Sequence, residues 1–279
     1  MKEYNNTTYD EERALYGIEN AHISNCNFEG PADGESALKE TKNIKVSDCK
    51  FMLRYPFWHT TNAEIENIEM SETCRAALWY DKDIKIKSSY LGGIKALREC
   101  CNTEIEESKI NSTEFGWFCE GITIKNSNLI SEYPFLKSSN MEIDNLEMTA
   151  KYSFQYVENI VIRNSVLSTK DAFWHGKNVT VYDSVIKGEY LGWYSDSLKL
   201  VNCKIIGTQP FCYANNLVLE NCETENCDLA FENSNVCATI NGKIDSVKNP
   251  KSGFIVADKI DEIIMENINS QCEIKERKK

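Results

Sequence analysis

Apolar and polar residues alternate in short runs along this chain, and the runs return every 19 residues. One run covers residues 159–167, in which Ile160 and Ile162 are the apolar positions and Asn159 and Asn164 flank them. A spacing of two is typical of a β-strand, whereas a helix would place apolar residues three or four apart. The pattern therefore predicts one short, strand-rich unit in every 19 residues.

When the units are aligned, equivalent positions form columns of similar residues. The first column is β-branched or leucine throughout: Ile23, Val46, Ile65, Ile86, Ile105, Ile124, Ile143, Ile162, Val181, Leu200 and Leu219. A second is large and apolar: Phe28, Phe51, Met70, Leu91, Ile110, Leu129, Met148, Leu167, Ile186 and Ile205. A third is small or apolar: Cys26, Cys49, Ile68, Ser89, Ser108, Ser127, Leu146, Ser165, Ser184, Cys203 and Cys222. Units this short bury their apolar residues only by stacking on neighbours, so these columns are predicted to point inward.

Two polar columns, mostly asparagine, flank the first strand of each unit, as Asn159 and Asn164 do in the run above. Asparagine tolerates the left-handed backbone of tight turns and hydrogen-bonds to nearby backbone groups. Stacked asparagine side chains can also hydrogen-bond from one unit to the next, at about 4.8 Å per step. These columns predict a turn at each end of the strand.

The fold predicted from the repeat is all-β: a single-stranded, right-handed parallel β-helix of about 11–13 coils with a 19-residue repeat. Residues 1–279 are predicted to form one domain, with an N-terminal cap at 1–19, regular coils at 20–235, and irregular coils and a tail at 236–279. The alternative fold is a leucine-rich repeat, which has a similar period. It requires an additional leucine three residues before the strand and a helical back side.

Three aromatic-rich stretches, residues 51–59, 77–81 and 117–120, combine with the short coils to give the chain a family resemblance. The chain resembles DUF3737, a bacterial family of proteins with a right-handed, pectin-lyase-like β-helix. The resemblance covers nearly the whole chain. It implies the fold and almost no chemistry, because the family's function is not established.

Composition excludes several classes of function. The net charge of −12 argues against nucleic acid as a partner, and against an anionic membrane or a polyanionic sugar unless a cation bridges them. The N-terminal residues contain no apolar run, so no membrane segment or signal peptide is expected and the predicted location is the cytoplasm. The 12 cysteines include no Cys-x-x-Cys motif, and they are predicted to be free thiols. No metal site and no cofactor are expected.

All five tryptophans fall in one column, together with non-aromatic residues, in the second half of the coils. They are Trp58, Trp79, Trp117, Trp174 and Trp193, and Tyr194 belongs to the column that follows. If the preceding phenylalanine column points inward, strand alternation turns the tryptophans outward. An exposed tryptophan column would suit stacking on sugar rings or contact with a protein partner. In the opposite register the tryptophans would belong to the core.

Polar residues that could bind a ligand or transfer protons cluster in the early coils. Arg54 and Arg75 are predicted to stack on adjacent coils, with Arg98 nearby, where they could hold a carboxylate or phosphate. The candidate proton carriers in the same region are His59, Tyr80, Asp81 and Glu99. The alternative is a surface network in which Arg54 and Arg75 are neutralised by Asp81 and Glu99.

Two functions follow from these surfaces. The first is carbohydrate binding or carbohydrate chemistry through the aromatic face, with an oligosaccharide or another small anionic ligand as partner. This hypothesis rests partly on analogy of fold. The second is a non-catalytic scaffold whose aromatic face binds a protein or a second copy of the chain, so an oligomer is also considered. The sequence contains none of the Asn-Thr-Asp, Asp-Asp, Gly-His-Gly and Arg-Ile-Lys motifs of β-helix polygalacturonases.

Overall fold

The computed structural model describes residues 1–30, 35–266 and 269–277, and it confirms the predicted parallel β-solenoid. The chain makes about 14 turns at a spacing of about 19 residues. Among the described residues there is no helix with the length and apolar character that spanning a membrane requires. The chain divides into two compact units, unit 1 (Met1–Glu142) and unit 2 (Ile143–Lys279), and the predicted single domain stays a prediction.

In unit 1 each coil contains a long strand followed by a short one, and each strand pairs in parallel with its counterpart in the next coil. The long strands are β1 (Lys2–Asn5), β3 (Glu19–Ser24), β5 (Lys42–Ser47), β8 (Thr61–Glu66), β11 (Lys82–Lys87) and β14 (Cys101–Glu106). The short strands are β2 (Thr8–Tyr9), β4 (Asn27–Phe28), β6 (Lys50–Phe51), β9 (Glu69–Met70), β12 (Tyr90–Leu91) and β15 (Lys109–Asn111). Both merge in β16 (Glu120–Glu132). A separate three-stranded sheet contains β7 (Phe57–Trp58), β10 (Leu78–Trp79) and β13 (Leu97–Arg98).

Unit 2 repeats the long and short strands. They are β17 (Ser139–Lys151), which runs across the boundary at residue 142, β18 (Glu158–Arg163), β19 (Val166–Ser168), β20 (Lys177–Tyr182), β21 (Val185–Lys187), β22 (Asp196–Val201), β23 (Lys204–Ile206), β24 (Leu217–Glu225), β25 (Asn235–Lys248), β26 (Ser252–Ile264) and β27 (Gln271–Glu276). The register shifts where β24 meets β25 and where β25 meets β26. These shifts fall where the sequence predicts irregular coils.

The predicted N-terminal cap is a coil. Strand β1 pairs in parallel with β3, with Tyr4 opposite Ile23, and β2 pairs with β4, with Tyr9 opposite Phe28. The repeat does not predict this coil, because tyrosine replaces the aliphatic residue of the first column. The additional coil is one reason that the structure has more turns than predicted.

The core consists of the apolar columns that the repeat predicts. All members of the three apolar columns are buried, and the serines of the third column also make hydrogen bonds between coils. Ser89 Oγ, for example, donates to Lys87 O and accepts the backbone N–H of Ile68 in the preceding coil. A hydroxyl therefore substitutes for an apolar side chain because both of its hydrogen-bonding functions are satisfied.

Each polar column occupies one left-handed backbone position per coil. The φ angle is +59° at Asn159 and +49° at Asn164. The side chains hydrogen-bond from coil to coil, as in Asn62 Nδ2 to Asn43 Oδ1 at 2.9 Å and Asn178 Nδ2 to Asn159 Oδ1 at 2.7 Å. Asparagine recurs here for two reasons. A positive φ costs it less energy than it costs most other residues, and its side chain forms these ladders.

All twelve cysteines are free thiols, and nine of them are buried. Burial raises the pKa of the Cys49, Cys212 and Cys222 thiols to about 12. A thiol with so high a pKa carries almost no thiolate at neutral pH and is a poor nucleophile.

Candidate functional site

The tryptophan column points outward, as strand alternation predicts. In β7, β10 and β13 the inward residues Phe57, Leu78 and Leu97 are fully buried, whereas Trp58 and Trp79 are half-buried at the surface. Trp117, Trp174 and Trp193 are half-buried in the same way. The tryptophans are therefore surface residues whose rings lie partly against the coils.

Four of the five tryptophan rings stack in pairs. Trp58 and Trp79 stack with their centroids 5.4 Å apart, and Trp174 and Trp193 stack at 5.7 Å. Lys39 Nζ lies 4.0 Å from the centroid of the Trp58 ring. Each of these four rings therefore has one face covered by another indole, which reduces the surface left for stacking on a sugar, and the predicted role of the tryptophans in sugar binding stays a prediction.

Four of the residues predicted for the early cluster lie together on the surface of unit 1. The His59 ring stacks on Tyr80 at 5.2 Å, and Arg98 Nε lies 3.1 Å from Glu99 Oε1. A side-chain hydrogen bond to Glu99 raises the pKa of Tyr80. These side chains satisfy one another at an open surface, and Tyr80 remains 42% exposed.

Asp81 was predicted to belong to this surface cluster, and that prediction is wrong. Its side chain is buried in an interior column of small residues, which runs Thr41, Thr60, Asp81, Cys100, Cys119 and Ser138. Oδ1 accepts the backbone N–H of Thr60 at 2.7 Å, and Oδ2 has no hydrogen-bond partner among the described residues. Burial raises the pKa of Asp81 well above its usual value. The carboxyl neither neutralises the surface arginines nor reaches a surface ligand.

Arg54 and Arg75 occupy the same column on adjacent coils, as predicted. Tyr55 N donates to Arg75 O, and Ser36 N donates to Arg54 O, each at 3.0 Å. Arg54 forms an ion pair with Glu35, and Arg75 is exposed. The neutralising partner of Arg54 is thus Glu35 rather than Asp81, and Glu99 pairs with Arg98.

Unit 2 carries a row of four stacked rings, one per coil, which we call the aromatic ladder: Tyr156, His175, Tyr194 and Tyr213. The first three are exposed, and Tyr213 is half-buried. The centroids are 4.8 Å apart from Tyr156 to His175, 5.1 Å from His175 to Tyr194, and 4.9 Å from Tyr194 to Tyr213. Adjacent ring planes are within 11° of parallel. The faces are stacked on one another, so the ladder turns its ring edges, with three hydroxyls and an imidazole, outward.

Tyr194 is the one residue of the aromatic ladder that is predicted from the sequence to bind a ligand. Tyr156 and Tyr194 are 49% and 45% exposed. The 19-residue spacing from Tyr156 to Tyr213 is the sequence signal for the ladder. The four residues have a positive φ, between +52° and +59°, which holds each ring at a corner of its coil.

The described residues contain no group of three histidine, cysteine or acidic side chains placed to hold a metal ion. The catalytic roles predicted for His59, Tyr80 and Glu99 stay predictions. The arrangement around them supports binding by hydrogen bonds and ring edges more directly than proton transfer to an enclosed substrate.

Several solved structures are similar to this chain at low sequence identity. PfbA, a surface adhesin of Streptococcus pneumoniae, is 10% identical with a TM-score of 0.52, covering 86% of this chain and 84% of PfbA. The AlgE6 A-module, a mannuronan C-5 epimerase from Azotobacter vinelandii, is 9% identical with a TM-score of 0.40, covering 99% and 89%. The tailspike D339N mutant of Escherichia coli bacteriophage HK620, in complex with a pentasaccharide, is 11% identical with a TM-score of 0.43, covering 92% and 60%.

None of the curated proteins matches this chain. The model of one protein family, described as "Protein of unknown function (DUF3737)", matches residues 2–275. This match covers nearly every coil of the solenoid, including the aromatic columns of both units. The chain therefore belongs to the DUF3737 family, as the aromatic-rich stretches of its sequence indicate.

Proposed function

We propose that this protein binds an extended, neutral oligosaccharide along the aromatic ladder of unit 2 without changing it chemically. The observation that carries the proposal is the evenly spaced row of Tyr156, His175, Tyr194 and Tyr213, of which the first three are exposed. The location in the cytoplasm, expected from the sequence, stays a prediction.

The ladder suits sugar hydroxyls better than it suits an apolar ligand. A tyrosine hydroxyl both donates and accepts hydrogen bonds, and a neutral imidazole offers one donor and one acceptor. These groups repeat about every 4.8–5.1 Å along the row. A straight chain of β-linked sugars repeats at a similar distance, so each sugar can meet one ring edge.

The positions of two candidate proton carriers support a proposal of binding without catalysis. Asp81 is inside the coil, and Glu99 is engaged by Arg98 and by the hydroxyl of Tyr80. A general acid or base must reach the reacting group within hydrogen-bond distance. The proposed mechanism is therefore recognition in which a rigid row of ring edges loses little conformational entropy on binding.

Calorimetric titration with cellohexaose and maltohexaose tests the proposal. Both are neutral glucose hexamers, but the β-linked chain is extended and the α-linked chain curls, so we expect tighter binding of cellohexaose. Removing two ladder rings together, in Tyr194→Ala/Tyr213→Ala, is expected to weaken that binding by about tenfold or more. Tyr182→Ala, which removes a half-buried tyrosine outside the ladder, is the matched control and leaves binding unchanged.

Self-association through the same surface is the alternative, because tyrosine and tryptophan are also enriched in protein interfaces. Sedimentation equilibrium on the wild type and the double variant measures this directly. A dimer that dissociates in the double variant, together with no binding of either hexamer, would replace the carbohydrate proposal with a scaffold function.

A further inference from the structure

Unit 1 contains an open groove that the sequence analysis did not identify. Its volume is about 530 Å³, and it follows four consecutive coils, from Asp48 through Asn67 and Ser88 to Glu107. Three steps of about 4.8 Å give it a length of roughly 14 Å. Small-molecule sites typically have volumes of about 300–1,000 Å³, so the groove can hold a short ligand.

Two rows of side chains line the groove. The first row is the left-handed corner of each coil, where Asn67 Nδ2 donates to Asp48 Oδ1 at 2.5 Å and Ser88 Oγ donates to Glu107 Oε2 at 3.3 Å. The second row consists of the outward residues of the short strands: Lys50, Glu69, Tyr90 and Lys109. The groove thus offers hydrogen-bonding groups at every coil, which is the lining that a saccharide requires.

Tyr90 is the aromatic residue of this lining, and its ring stacks on no other aromatic ring of the described residues. It is 37% exposed. The ring lies against Gly92, where an added Cβ would come within 3.0 Å of Tyr90 Cε1. In contrast to the rings of the aromatic ladder, Tyr90 is therefore free to pack against a sugar ring.

Lys109 stands next to Tyr90 in register on the following coil. The other charges of the groove have partners: Lys50 lies 3.4 Å from Glu69, Glu107 lies 3.7 Å from Lys87, and Asp48 accepts a hydrogen bond from the Asn67 amide. Lys109 is exposed and forms no ion pair with any residue that the structure describes. The cation beside the unstacked ring suits an anionic substituent on a bound sugar.

We propose that this groove is a second binding site, for a short saccharide that carries an anionic group. The sugar ring packs on Tyr90, its anionic group pairs with Lys109, and its hydroxyls bond to Asn67 and Ser88. The site shares no residue with the aromatic ladder and does not depend on the function proposed for unit 2.

The matched probes are cellobiouronic acid and cellobiose, which differ by one carboxylate. In a nuclear magnetic resonance titration at low salt, we expect the acidic disaccharide to shift the backbone amide signals of Tyr90 and Lys109. It should bind about threefold to fivefold more tightly than cellobiose, which is the upper part of the range for an exposed ion pair. The preference should shrink as salt is added.

Two variants separate the parts of the site. Lys109→Gln should remove the preference for the acidic sugar and leave cellobiose binding unchanged, whereas Lys125→Gln, at another exposed lysine of unit 1, should change neither. Tyr90→Ala should weaken both ligands, and Tyr16→Ala is its control because Tyr16 is exposed outside the groove.

Absence of binding by both disaccharides, or binding that survives Tyr90→Ala, would overturn the site. Equal affinity of Lys109→Gln and the wild type for cellobiouronic acid would overturn the role of the charge. The Tyr194→Ala/Tyr213→Ala variant keeps the groove intact, so a failure of the aromatic ladder is distinguishable from a failure of this site.

Discussion

The tripeptide Phe-Trp-His occurs once in each unit and folds in two different ways. Phe57–His59 begins as an extended strand, and the Phe57 N–H donates forward to Ala77 O in the next coil. In Phe173–His175 the phenylalanine has a φ of +61°, and its N–H donates backward to Ser153 O in the previous coil. Both phenylalanines are nevertheless fully buried and both tryptophans are half-buried.

The two backbone conformations differ in whether the indole N–H groups have a hydrogen-bond acceptor. Trp174 Nε1 donates to Tyr190 O at 3.1 Å, and Trp193 Nε1 donates to Gln209 O at 2.8 Å. Trp58 Nε1 and Trp79 Nε1 are buried and have no hydrogen-bond partner within the described residues. A left-handed residue before the tryptophan thus brings a carbonyl to the indole, as it also does at Trp117 after Gly116 in unit 1, whereas the extended strands at Trp58 and Trp79 do not.

The neighbours in the column, rather than the tripeptide, determine the conformation. Phe57 stands beside Leu78 and Leu97, which are also in strands, and paired parallel strands must share their backbone geometry. Phe173 stands between Phe154, with φ of +55°, and Gly192, with φ of +70°. Glycine adopts a positive φ at no steric cost, so it favours the left-handed form of its column.

The largest expected effect comes from substituting the same column in the two regions. In Gly192→Val the new Cβ would meet Leu198 Cδ2 at 2.8 Å, and a β-branched residue resists a φ of +70°. We expect a loss of about 3 kcal/mol or more in the free energy of unfolding. Leu97→Val, in the extended region, should cost only about 1 kcal/mol because it removes one methylene. Urea unfolding measures both; equal losses would contradict the proposed difference between the columns.

The next effect concerns the interior corner column, where unit 1 has Asp81 and unit 2 has Ser195. Burial raises the pKa of Asp81 above its value in the unfolded chain, which is about 3.9. Its stabilising contribution is therefore complete below that pH and is lost as the pH rises toward the folded pKa. We expect the free energy of unfolding of Asp81→Ser to fall less steeply with pH than that of the wild type. At pH 7 the variant should be more stable by roughly 1–3 kcal/mol.

Unfolding free energies measured from pH 4 to pH 8 test this expectation. Ser195→Ala is the control in unit 2: Ser195 Oγ donates to Gly192 O at 2.7 Å, so the variant should lose about 1 kcal/mol at every pH. An Asp81→Ser variant whose stability declines with pH as steeply as that of the wild type would show that Asp81 is not the group responsible.

The smallest effect separates the two tryptophan pairs. Trp174→Phe removes an indole that donates a hydrogen bond, whereas Trp58→Phe removes one that lacks a partner. Beyond the loss of ring volume common to both, Trp174→Phe should cost about 1 kcal/mol more. Midpoints of chemical denaturation give the comparison. A larger loss of stability in Trp58→Phe than in Trp174→Phe would contradict the assignment of the indole hydrogen bond to Trp174.

The sequence predicts the inward columns because each follows from a strict 19-residue period. Ile162 and Leu167 are buried for the same reason as their equivalents one coil away. Asp81 was misplaced because the positive φ at Tyr80 interrupts strand alternation, so Trp79 and Tyr80 point outward and Asp81 points inward. The small residues at Thr60, Cys100 and Ser138, which share its column, carry the signal that places it correctly.

The surfaces were harder to predict than the core. The column that contains Tyr156, His175 and Tyr194 is visible in the sequence, but the direction of the ring faces depends on stacking between coils. The residues that line the groove at Tyr90 also recur from coil to coil, but the open space between them is a property of the folded coils and not of the residue types. Residue types in register therefore identify candidate ligand contacts, and the backbone geometry decides which of them are accessible.

The central claim, that the aromatic ladder binds an extended oligosaccharide, is tested most directly by the imidazole signals of the protein. The chain has three histidines, and only His175 belongs to the ladder. We predict that cellohexaose shifts the His175 signal to saturation, shifts His59 much less, because the His59 stack contains a single tyrosine, and leaves His22 unchanged. An unchanged His175 signal, or equal shifts at all three histidines, would contradict the account.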